Sequence, residues 1–340
     1  MMRHLVTGGS GFIGSRVARR LWAEGHAVRI LDTWIDPDLP AGIERIEGDV
    51  CDPAAVEAAM NGVEVVHHNA ALVAQANAGS RYWAVNVDGS RNVAAAAVRA
   101  GVGLMVHVSS TSIYGLSPAG PITAETVPHP FEPYGRSKWA GEQSMVRICG
   151  QAGLPLITIR PRATLGAGRL GIFQILFQWI AENRRVYITG DGSNHMQFVH
   201  ADDLVDAYML ALARGESATY NVGTDRFGTL RQDLEALTRH AGSGARVIGL
   251  PPRPAMAVLN ALHRVGLSPL VPWQYRTYHR DCYFDVSPLK ALGWRPRYSN
   301  VNMLAESYDW FRAQREAGSA RSAHRSPLAQ QALGLLRRLS

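Results

Sequence analysis

The first half of the chain alternates short apolar runs with longer stretches whose apolar residues recur at helical spacing. The short runs are apolar almost throughout, which is typical of strands covered on both faces of a parallel sheet. Because a helical pattern follows each run, neighbouring strands are joined by crossover helices. The predicted strands are HLVTG, AVRILD, IERIEGD, VEVVHHNAA, LMVHVSS and PLITIRP, and the predicted helices are SRVARRLWAEG, YWAVNVDGSRNVAAAAVRAG and YGRSKWAGEQSMVRICGQAG. The pattern predicts an α/β fold with a doubly wound parallel sheet.

The pattern loosens after about residue 165, where glycine and proline interrupt it and helices are predicted at DDLVDAYMLALA and LRQDLEALTRHAG. We interpret residues 1–165 as mainly the sheet domain and residues 166–312 as mainly a smaller C-terminal substrate-binding cap, with some elements returning to the core. The cap is expected on the carboxyl edge of the sheet, where doubly wound folds bind their ligands. Residues 313–340 are expected to form a basic linker and an amphipathic C-terminal helix.

Charge separates the tail from the folded body. The formal net charge is +7, and residues 312–340, with six arginines and one glutamate, contribute +5 of it. The nearly neutral body shows no basic face with aromatic residues, so we expect no nucleic-acid partner. Apolar residues make up 46% of the chain without a run long enough to span a bilayer, and the first residues lack the pattern of a signal peptide. A cytoplasmic location is expected.

No metal site is expected. Cys51, Cys149 and Cys282 are too few and too scattered for a disulfide framework or a CxxC motif. His67 and His68 end a predicted strand and are interpreted as a packed residue and a polar-edge residue. Asp202 and Asp203 directly precede an apolar helical run, so helix capping is their predicted role.

The first predicted strand runs directly into TGGSGFIG, which places Gly8, Gly11 and Gly14 at the start of a helix. Glycine there permits a tight turn and close approach of a pyrophosphate, whose charge the helix N-terminus favours. The second predicted strand ends at Asp32, where a carboxylate can accept hydrogen bonds from both hydroxyls of an adenine ribose. The same carboxylate would repel a 2′-phosphate. The sequence therefore predicts a Rossmann domain that binds NAD in preference to NADP.

A second signal is YGRSK, in which Tyr134 and Lys138 lie one helical turn apart and therefore on the same face. Hydride transfer between an alcohol and a carbonyl needs a group that moves the hydroxyl proton. A tyrosine with a pKa of about 10 can act as that base only if a nearby positive charge stabilises the phenolate. Lys138 is predicted to supply this charge. Such pairs also occur by chance on solvated helices, so the catalytic interpretation depends on the dinucleotide-binding motif in the same sequence.

Together these motifs resemble the extended short-chain dehydrogenase/reductase family, in its NAD-dependent epimerase/dehydratase branch, over about residues 3–312. TGGSGFIG, GDV, HNAA, NVDGSRN, VSSTSIYG, YGRSK, RPRATLGAG, FVHADDL and YNVG stand in the order of that family. The resemblance implies that Ser110 completes a catalytic triad with Tyr134 and Lys138. It also implies that the cofactor is held by Gly8, Gly11, Phe12, Ile13, Gly14, Asp32, Asp49, Val50, Asn69, Ala70, Ala71, Asn86, Tyr134, Lys138 and Pro161.

Relatives in this branch act mainly on nucleotide-diphosphate sugars through a transient 4-keto sugar. Ala163 stands where many of them have an asparagine for the diphosphate, and His195, Met196 and Gln197 stand where they carry an arginine. Two explanations stay open: Arg162 or Arg169 binds the substrate anion instead, or the leaving portion of the substrate differs. Ser112 is expected to be a further substrate contact. The stretch SSTS lacks the acidic residues of the dehydratases, which argues against dehydration.

The function that the resemblance implies is a NAD-dependent sugar 4-epimerase acting on a nucleotide- or polyprenyl-diphosphate-linked sugar. The alternative is a 3β-hydroxysteroid-type or other lipid alcohol dehydrogenase, because PPRPAMAVLNALHRVGLSPLVPW is apolar and resembles family members with lipidic substrates. That stretch would equally serve as the core of the cap. A third hypothesis is a non-catalytic relative that senses dinucleotides, against which the presence of Tyr134 and Lys138 argues. A homodimer is the expected assembly.

The C-terminal sequence SPLAQQALGLLRRLS predicts a short amphipathic helix that starts at Ser326 and Pro327. Its apolar side consists of Leu328, Ala332, Leu335, Leu336 and Leu339. A helix this short is marginal alone in water, so it needs a surface on which to form. An apolar stripe flanked by arginines suits an anionic membrane surface, and packing on the cap or on a dimer mate is the competing interpretation.

Overall fold

The computed structural model describes residues 1–74, 78–116, 120–170, 173–265 and 272–317. The strands are β1 (Arg3–Thr7), β2 (Ala27–Asp32), β3 (Glu44–Glu47), β4 (Val65–His68), β5 (Leu104–Val108), β6 (Leu156–Pro161), β7 (Ala163–Leu165), β8 (Val186–Thr189), β9 (Phe198–His200), β10 (Ala218–Val222) and β11 (Val247–Leu250). The α-helices are α1 (Gly14–Ala23), α2 (Pro53–Ala59), α3 (Arg81–Trp83), α4 (Ser90–Arg99), α5 (Pro133–Ala152), α6 (Phe173–Ala181), α7 (Ala201–Arg214), α8 (Leu230–His240), α9 (Pro252–Arg264), α10 (Pro272–Thr277), α11 (Ser287–Ala291) and α12 (Asn300–Glu316). A π-helix (Ala84–Gly89) joins α3 to α4, and a 3₁₀ helix spans Thr111–Tyr114.

The main sheet is parallel, with the strand order β10-β6-β5-β4-β1-β2-β3 within the described residues. On one face, Val6 and Val106 pack with residues of α1 and α7, and on the other, Leu5 and Met105 pack with α2, α4 and α5. Burial on both faces explains why the strands are apolar throughout rather than at alternate positions. The predicted doubly wound Rossmann fold is confirmed.

The chain reverses its direction of travel across the sheet between β1 and β4, which are neighbours although β2 and β3 come between them in sequence. In open α/β sheets a crevice forms at such a point, outside the carboxyl ends of the strands. The loops after β1, β4, β5 and β6 all meet at this edge. The topology therefore brings the glycine motif, Asn69, Ser110 and Pro161 to one place.

Elements after β6 form a third apolar cluster. Phe177 of α6, Leu234 of α8 and Tyr308 of α12 pack together with Val186 and Val247 of the small parallel pair β8 and β11. β10 and α7 instead return to the main sheet, where β10 pairs with β6. The elements of this cluster are thus fixed to the main sheet by β10 and α7, which lie between them in sequence.

Two local predictions need correction. His67 and His68 are both fully buried, and His68 is no edge residue because its ring bonds to Thr7 Oγ1 at 2.8 Å and to Ser90 Oγ at 3.0 Å. The cap of α7 is His200, whose Nδ1 accepts from the Asp202 amide at 3.2 Å. Asp203 instead accepts the backbone amides of residues 297 and 298, which ties α7 to the start of α12.

Across the described ranges, no cluster of three or more His, Cys, Asp or Glu side chains is arranged to hold a metal ion. The helices of those ranges include none that is both long and apolar enough to cross a membrane. The predicted amphipathic helix from Ser326 to Leu339 lies outside the described residues.

A buried ion pair supports the helix that carries YGRSK. Arg160 of β6 pairs with Glu142 of α5, both side chains are buried, and Arg160 also donates to the Tyr114 hydroxyl at 2.7 Å. Removing one partner leaves the other charge buried and unpaired. We expect Glu142→Ala to lower the free energy of unfolding by about 3–5 kcal/mol in urea titrations. The control is Glu24→Ala, which removes an exposed partner of Arg20 and should cost less than about 1 kcal/mol; equal effects of the two would contradict the prediction.

Candidate active site

A cleft of about 330 Å³ opens at the carboxyl edge of the sheet, between the loops after β1, β4, β5 and β6 and the segment that contains β7, Leu170 and Phe173. Of the residues predicted to act there, it is lined by Gly8, Gly11, Phe12, Ile13, Gly14, Asn69, Ala71, Ser110, Ser112, Tyr134, Lys138, Pro161, Arg162 and Arg169. Asp32, Asp49, Val50, Ala70 and Asn86 are not among its lining residues. These five lie beside the cleft or behind its wall, as described below.

The glycine loop is shaped to admit a phosphate group. Gly8 adopts a φ of 67°, and a Cβ there would lie 2.7 Å from the amide nitrogen of Ala70, so the loops after β1 and β4 touch backbone to backbone. The amide of Gly11 donates to Gly8 O at 3.0 Å, and α1 begins three residues later with its N-terminus at the cleft. Because a helix N-terminus and a side-chain-free loop favour a pyrophosphate, these residues fit the dinucleotide that the sequence predicts.

Asp32 ends β2 beside the glycine loop. Its Oδ2 accepts from the Ser10 amide at 3.0 Å, and its backbone oxygen accepts from the Gly48 amide at 2.9 Å. This second bond brings the segment with Asp49 and Val50 alongside, where Val50 O accepts from the Asn92 side chain at 3.0 Å. The carboxylate is therefore fixed at the sheet edge, next to the loop that would hold the pyrophosphate.

We expect Asp32→Ser to relax the choice between NAD and NADP. The carboxylate can bond the ribose hydroxyls and repels a 2′-phosphate, so its loss should weaken NAD binding roughly tenfold to a hundredfold and strengthen NADP binding. Titrations of both dinucleotides would measure this. Asp38→Ser, at an exposed position of the following loop, is the matched control. Equal affinity of the wild-type protein for both dinucleotides would contradict the role given to Asp32.

The structure brings Ser110, Tyr134 and Lys138 together. Ser110 precedes the 3₁₀ helix and accepts from the amide of Ser112 at 3.2 Å and from its hydroxyl at 3.0 Å. The Ser110 side chain is also a hydrogen-bond partner of the Tyr134 phenol. Lys138 Nζ donates to Val108 O at 2.8 Å, at the carboxyl end of β5. The strand end thus holds the lysine, while the serine faces the phenol.

The electrostatics of the pair differ from the simple expectation that Lys138 alone supports the phenolate. Burial raises the pKa of Tyr134 above its usual value, and the Ser110 hydrogen bond and the charge of Arg169 act in the opposite direction. Burial lowers the pKa of Lys138 to about 8. The cation that favours ionisation of Tyr134 is therefore Arg169, and the charge of Glu132 opposes it by raising the pKa of the phenol.

Two residues around the phenol were not predicted from the sequence. Glu132 caps α5, because its carboxylate accepts the amides of Tyr134 at 2.8 Å and Gly135 at 2.5 Å. The ring of Tyr82 lies 5.8 Å from that of Tyr134, and its hydroxyl donates to Ala74 O at 2.8 Å. Pro133 at the first helical position is a readable helix-start signal. Glutamate is not among the preferred capping residues, so the sequence distinguishes neither Glu132 nor Tyr82.

Asn86 holds the wall behind the cleft. Its Oδ1 accepts from the Leu72 amide at 2.9 Å, and its Nδ2 donates to Ser137 Oγ at 2.9 Å and to Leu72 O at 3.2 Å. The side chain therefore joins the loop after β4 to the helix that carries Tyr134 and Lys138. It lies in the π-helix, whose wide turn aims it at both partners.

The three residues predicted to bind substrate differ in their surroundings. Ser112 is buried behind Ser110. Arg162 is also buried, with Nε donating to Gln197 O and Nη1 to Cys282 Sγ, both at 2.9 Å, so its guanidinium is fixed in the cleft wall. Arg169 lies on the other side, against the ring of Phe12.

Comparison with known proteins gives a consistent assignment. The sequence profile of the NAD dependent epimerase/dehydratase family matches residues 4–223. The UDP-glucose 4-epimerase of Mycolicibacterium smegmatis is 30% identical over 92% of this chain and 99% of its own length. The 3 beta-hydroxysteroid dehydrogenase/Delta 5→4-isomerase of Mycobacterium tuberculosis is 28% identical over 91% of this chain and 90% of its own.

Among solved structures, the UDP-glucose 4-epimerase of Thermotoga maritima, crystallised with UDP-glucose, matches with a TM-score of 0.77 and 26% identity. The match covers 92% of this chain and 99% of that one. The profile spans more than half of the sequence, and its range contains the glycine loop, the triad and the strands that position them. The chain belongs to the NAD-dependent epimerase/dehydratase family, whose cofactor is NAD.

Proposed function

We propose that the protein is a NAD-dependent sugar 4-epimerase that acts through a transient 4-keto intermediate on a nucleotide- or polyprenyl-diphosphate-linked sugar. The observation that carries the proposal is the placement of Ser110, Tyr134 and Lys138 in one cleft with the glycine loop. A group that moves a hydroxyl proton thus stands beside the site for a hydride carrier. The similarity to UDP-glucose 4-epimerases over nearly the whole chain supports the choice of a sugar.

In this mechanism bound NAD supplies the hydride acceptor and donor. Tyr134 Oη accepts the proton of the C4 hydroxyl as the hydride leaves, and returns it after the ketone has presented its other face. Ser110 Oγ hydrogen-bonds the same substrate oxygen, and Ser112 orients Ser110 through the 3.0 Å contact between their hydroxyls. Lys138, held by Val108 O, adds positive charge near the phenolate. No net oxidation occurs, because each turnover removes and restores one hydride.

For the far end of the substrate we propose Arg162 as the phosphate-binding residue. Gln197 and Cys282 hold its guanidinium at the cleft wall, and Ala163 beside it supplies no side-chain donor. A guanidinium that is already held in position suits a phosphate, because its planar donors can bond two oxygens at once.

The test is to incubate the purified protein with UDP-glucose, UDP-N-acetylglucosamine and a polyprenyl-diphosphate-linked N-acetylhexosamine, and to resolve C4 epimers by chromatography. Absorbance at the wavelength of NADH is recorded in the same reactions. We expect an epimer from at least one sugar without accumulation of NADH. Production of NADH in proportion to product, with no epimer, would overturn the proposal.

A second candidate is a NAD-dependent dehydrogenase of a steroid or other lipid alcohol, which the 28% identical hydroxysteroid dehydrogenase supports. The specific observation is the cap helix α9, which is amphipathic and leaves Val258 59% exposed. The described parts of this segment, residues 251–265 and 272–280, contain four arginines and no acidic residue. An apolar, basic surface of this kind suits a lipidic substrate with an anionic head. Steady NADH formation with 3β-hydroxysteroids in the assay above would select this candidate.

The same features lead us to propose peripheral contact with an anionic membrane, through the predicted C-terminal helix and α9. Each basic side chain near such a surface contributes about 1 kcal/mol. We expect the full chain to co-sediment with vesicles rich in phosphatidylglycerol at low salt, and a chain ending at Ala323 to bind more weakly. If both remain in the supernatant, packing of the tail on the cap or within the proposed homodimer is the correct interpretation.

A further inference from the structure

Two guanidinium groups lie against the ring of Phe12, in the glycine loop. The Cζ atom of Arg16 is 4.0 Å from the centroid of the ring, and that of Arg169 is 5.2 Å from it. Phe12 stands two residues before the start of α1, where the loop meets the positive end of the helix. Cationic side chains therefore gather at a place that is already positive.

Arg16 joins two loops through hydrogen bonds and lies near negatively charged side chains. Its Nη1 donates to Phe12 O and its Nη2 to Ala167 O, each at 2.9 Å, so it fastens the turn after β7 to the glycine loop. Burial lowers the pKa of Arg16, and the charges of Asp202 and Glu306 act against that shift. Two of its donors are thus used within the protein, and nearby carboxylates favour its charged form.

Arg169 is placed differently. Gly168, with a φ of 91°, turns the chain so that the next residue enters the cleft, where Arg169 lies between the glycine loop and Tyr134. Burial lowers the pKa of Arg169, and the ionisable groups that act on it are Tyr134 and Arg16. Within the part of the chain that the structure describes, no carboxylate forms an ion pair with it. Arg169 is half-buried, and a guanidinium partly withdrawn from water without a counter-ion favours the binding of an anion here.

We propose that Arg169 clamps the pyrophosphate of NAD, with Arg16 as the positioning residue that fixes its turn. The site lies where the glycine loop and the α1 N-terminus favour phosphate, and a guanidinium can donate two parallel hydrogen bonds to phosphate oxygens. The proposal concerns the cofactor and does not depend on which substrate the enzyme uses. It assigns Arg169 to the dinucleotide rather than to the substrate anion, for which the sequence suggested it.

Such a clamp fits a reaction in which NAD must stay bound between two hydride transfers. It also places one positive charge where it serves two purposes, since Arg169 acts on Tyr134 as well. Retention of NAD and ionisation of the phenol are then coupled through a single side chain. A dehydrogenase that exchanges NAD in every turnover gains less from this arrangement.

The test measures dinucleotide binding by calorimetry, without any substrate. The ligands are NAD and ADP-ribose, which carry the pyrophosphate, and AMP, which carries one phosphate. We expect Arg169→Met to weaken NAD and ADP-ribose about tenfold to a hundredfold, the range for hydrogen bonds to charged groups, and to change AMP binding less than about threefold. Arg169→Lys, which keeps the charge but not the planar donors, should bind more tightly than Arg169→Met.

Arg239→Met, at an exposed position of α8, is the control and should bind all three ligands as the wild type does. Arg169→Gln replaces Arg169→Met if circular dichroism shows that the latter does not fold. Unchanged affinity of the charge-neutral variant for NAD and ADP-ribose would overturn the proposed clamp. Failure of the clamp leaves the epimerase proposal standing, because the epimer assay measures a different property.

Discussion

Tyr134→Phe is expected to abolish turnover while leaving the NAD dissociation constant within a few-fold of the wild-type value. The phenol hydroxyl is the group that moves the substrate proton, and general acid–base catalysis contributes about 10²–10⁴-fold. The ring itself stays, so its packing 5.8 Å from Tyr82 and the α5 cap at Glu132 are preserved. Steady-state kinetics and NAD titration on the same preparation measure both effects. Residual activity above about a tenth of wild type would rule out the proton-transfer role.

The matched experiment on Lys138 should separate the two partners. Lys138→Ala is expected to reduce both turnover and NAD affinity, because this buried side chain holds the strand end at Val108 O and supplies charge to the cleft. Lys290→Ala serves as the control, since the Lys290 side chain is partly exposed and pairs with Asp225 outside the cleft. If a Lys138 variant loses turnover but binds NAD like the wild type, Lys138 contributes its positive charge to catalysis and does not help to bind NAD.

Stability is expected to fall steeply as the pH drops below about 6.5. Burial lowers the pKa of four histidines in the sheet: that of His4 to about 4, that of His68 to about 3, and those of His67 and His107 well below the usual value. Below pH 6.5 these histidines therefore bind protons in the unfolded chain but stay unprotonated in the folded protein, so acid favours unfolding. The stability from these neutral rings is fully present above about pH 6.5 and is lost progressively toward pH 4 and below.

The size of the effect follows from the number of rings. Each one costs up to about 1.4 kcal/mol per pH unit, so four together approach ~5 kcal/mol per unit, a large part of a typical total of 5–15 kcal/mol. Urea titrations at pH 7.5 and 5.5 measure the difference. A difference of less than about 1 kcal/mol would show that the rings titrate normally.

His107→Phe provides an internal check. The His107 ring stacks on His68 with centroids 5.5 Å apart, and within the described residues its two buried nitrogens have no hydrogen-bond partner. Phenylalanine keeps an aromatic ring there and removes one titrating group. The number of protons taken up on unfolding below pH 6.5 should therefore fall by about one. His263→Phe, at an exposed position of α9, should leave the dependence unchanged.

What the sequence could predict depended on local periodicity and on motif order. The strands were readable because burial on both faces makes them continuously apolar, and Tyr134 and Lys138 because four residues make one helical turn. The histidine chain was not readable. His26 Nδ1 contacts His4 Nε2 at 3.1 Å, His4 Nδ1 contacts His67 Nε2 at 2.9 Å, and His67 Nδ1 contacts the Tyr208 hydroxyl at 2.8 Å.

These contacts join residues that lie far apart in sequence, and they exist because β1 and β4 are neighbours in the sheet. The contact of Arg169 with Phe12 likewise depends on how the turn after β7 docks on the glycine loop, which no local pattern encodes. At His200 the sequence pointed to the wrong capping residue, because aspartates are stronger capping signals than histidine. Local physics predicted the elements, and only the assembled fold determined these pairings.

The π-helical turn at Ala84–Gly89 restricts the positions at which residues can be inserted or deleted. Such a turn holds about one residue more than an α-helical turn. Deleting Val85 would let the stretch from Arg81 to Arg99 wind as an ordinary helix, but each residue rotates a helix by about 100°. Asn86 would then turn away from Leu72 and Ser137, and the wall behind the triad would lose its link. Insertions and deletions among homologous sequences are therefore expected to fall outside this helix.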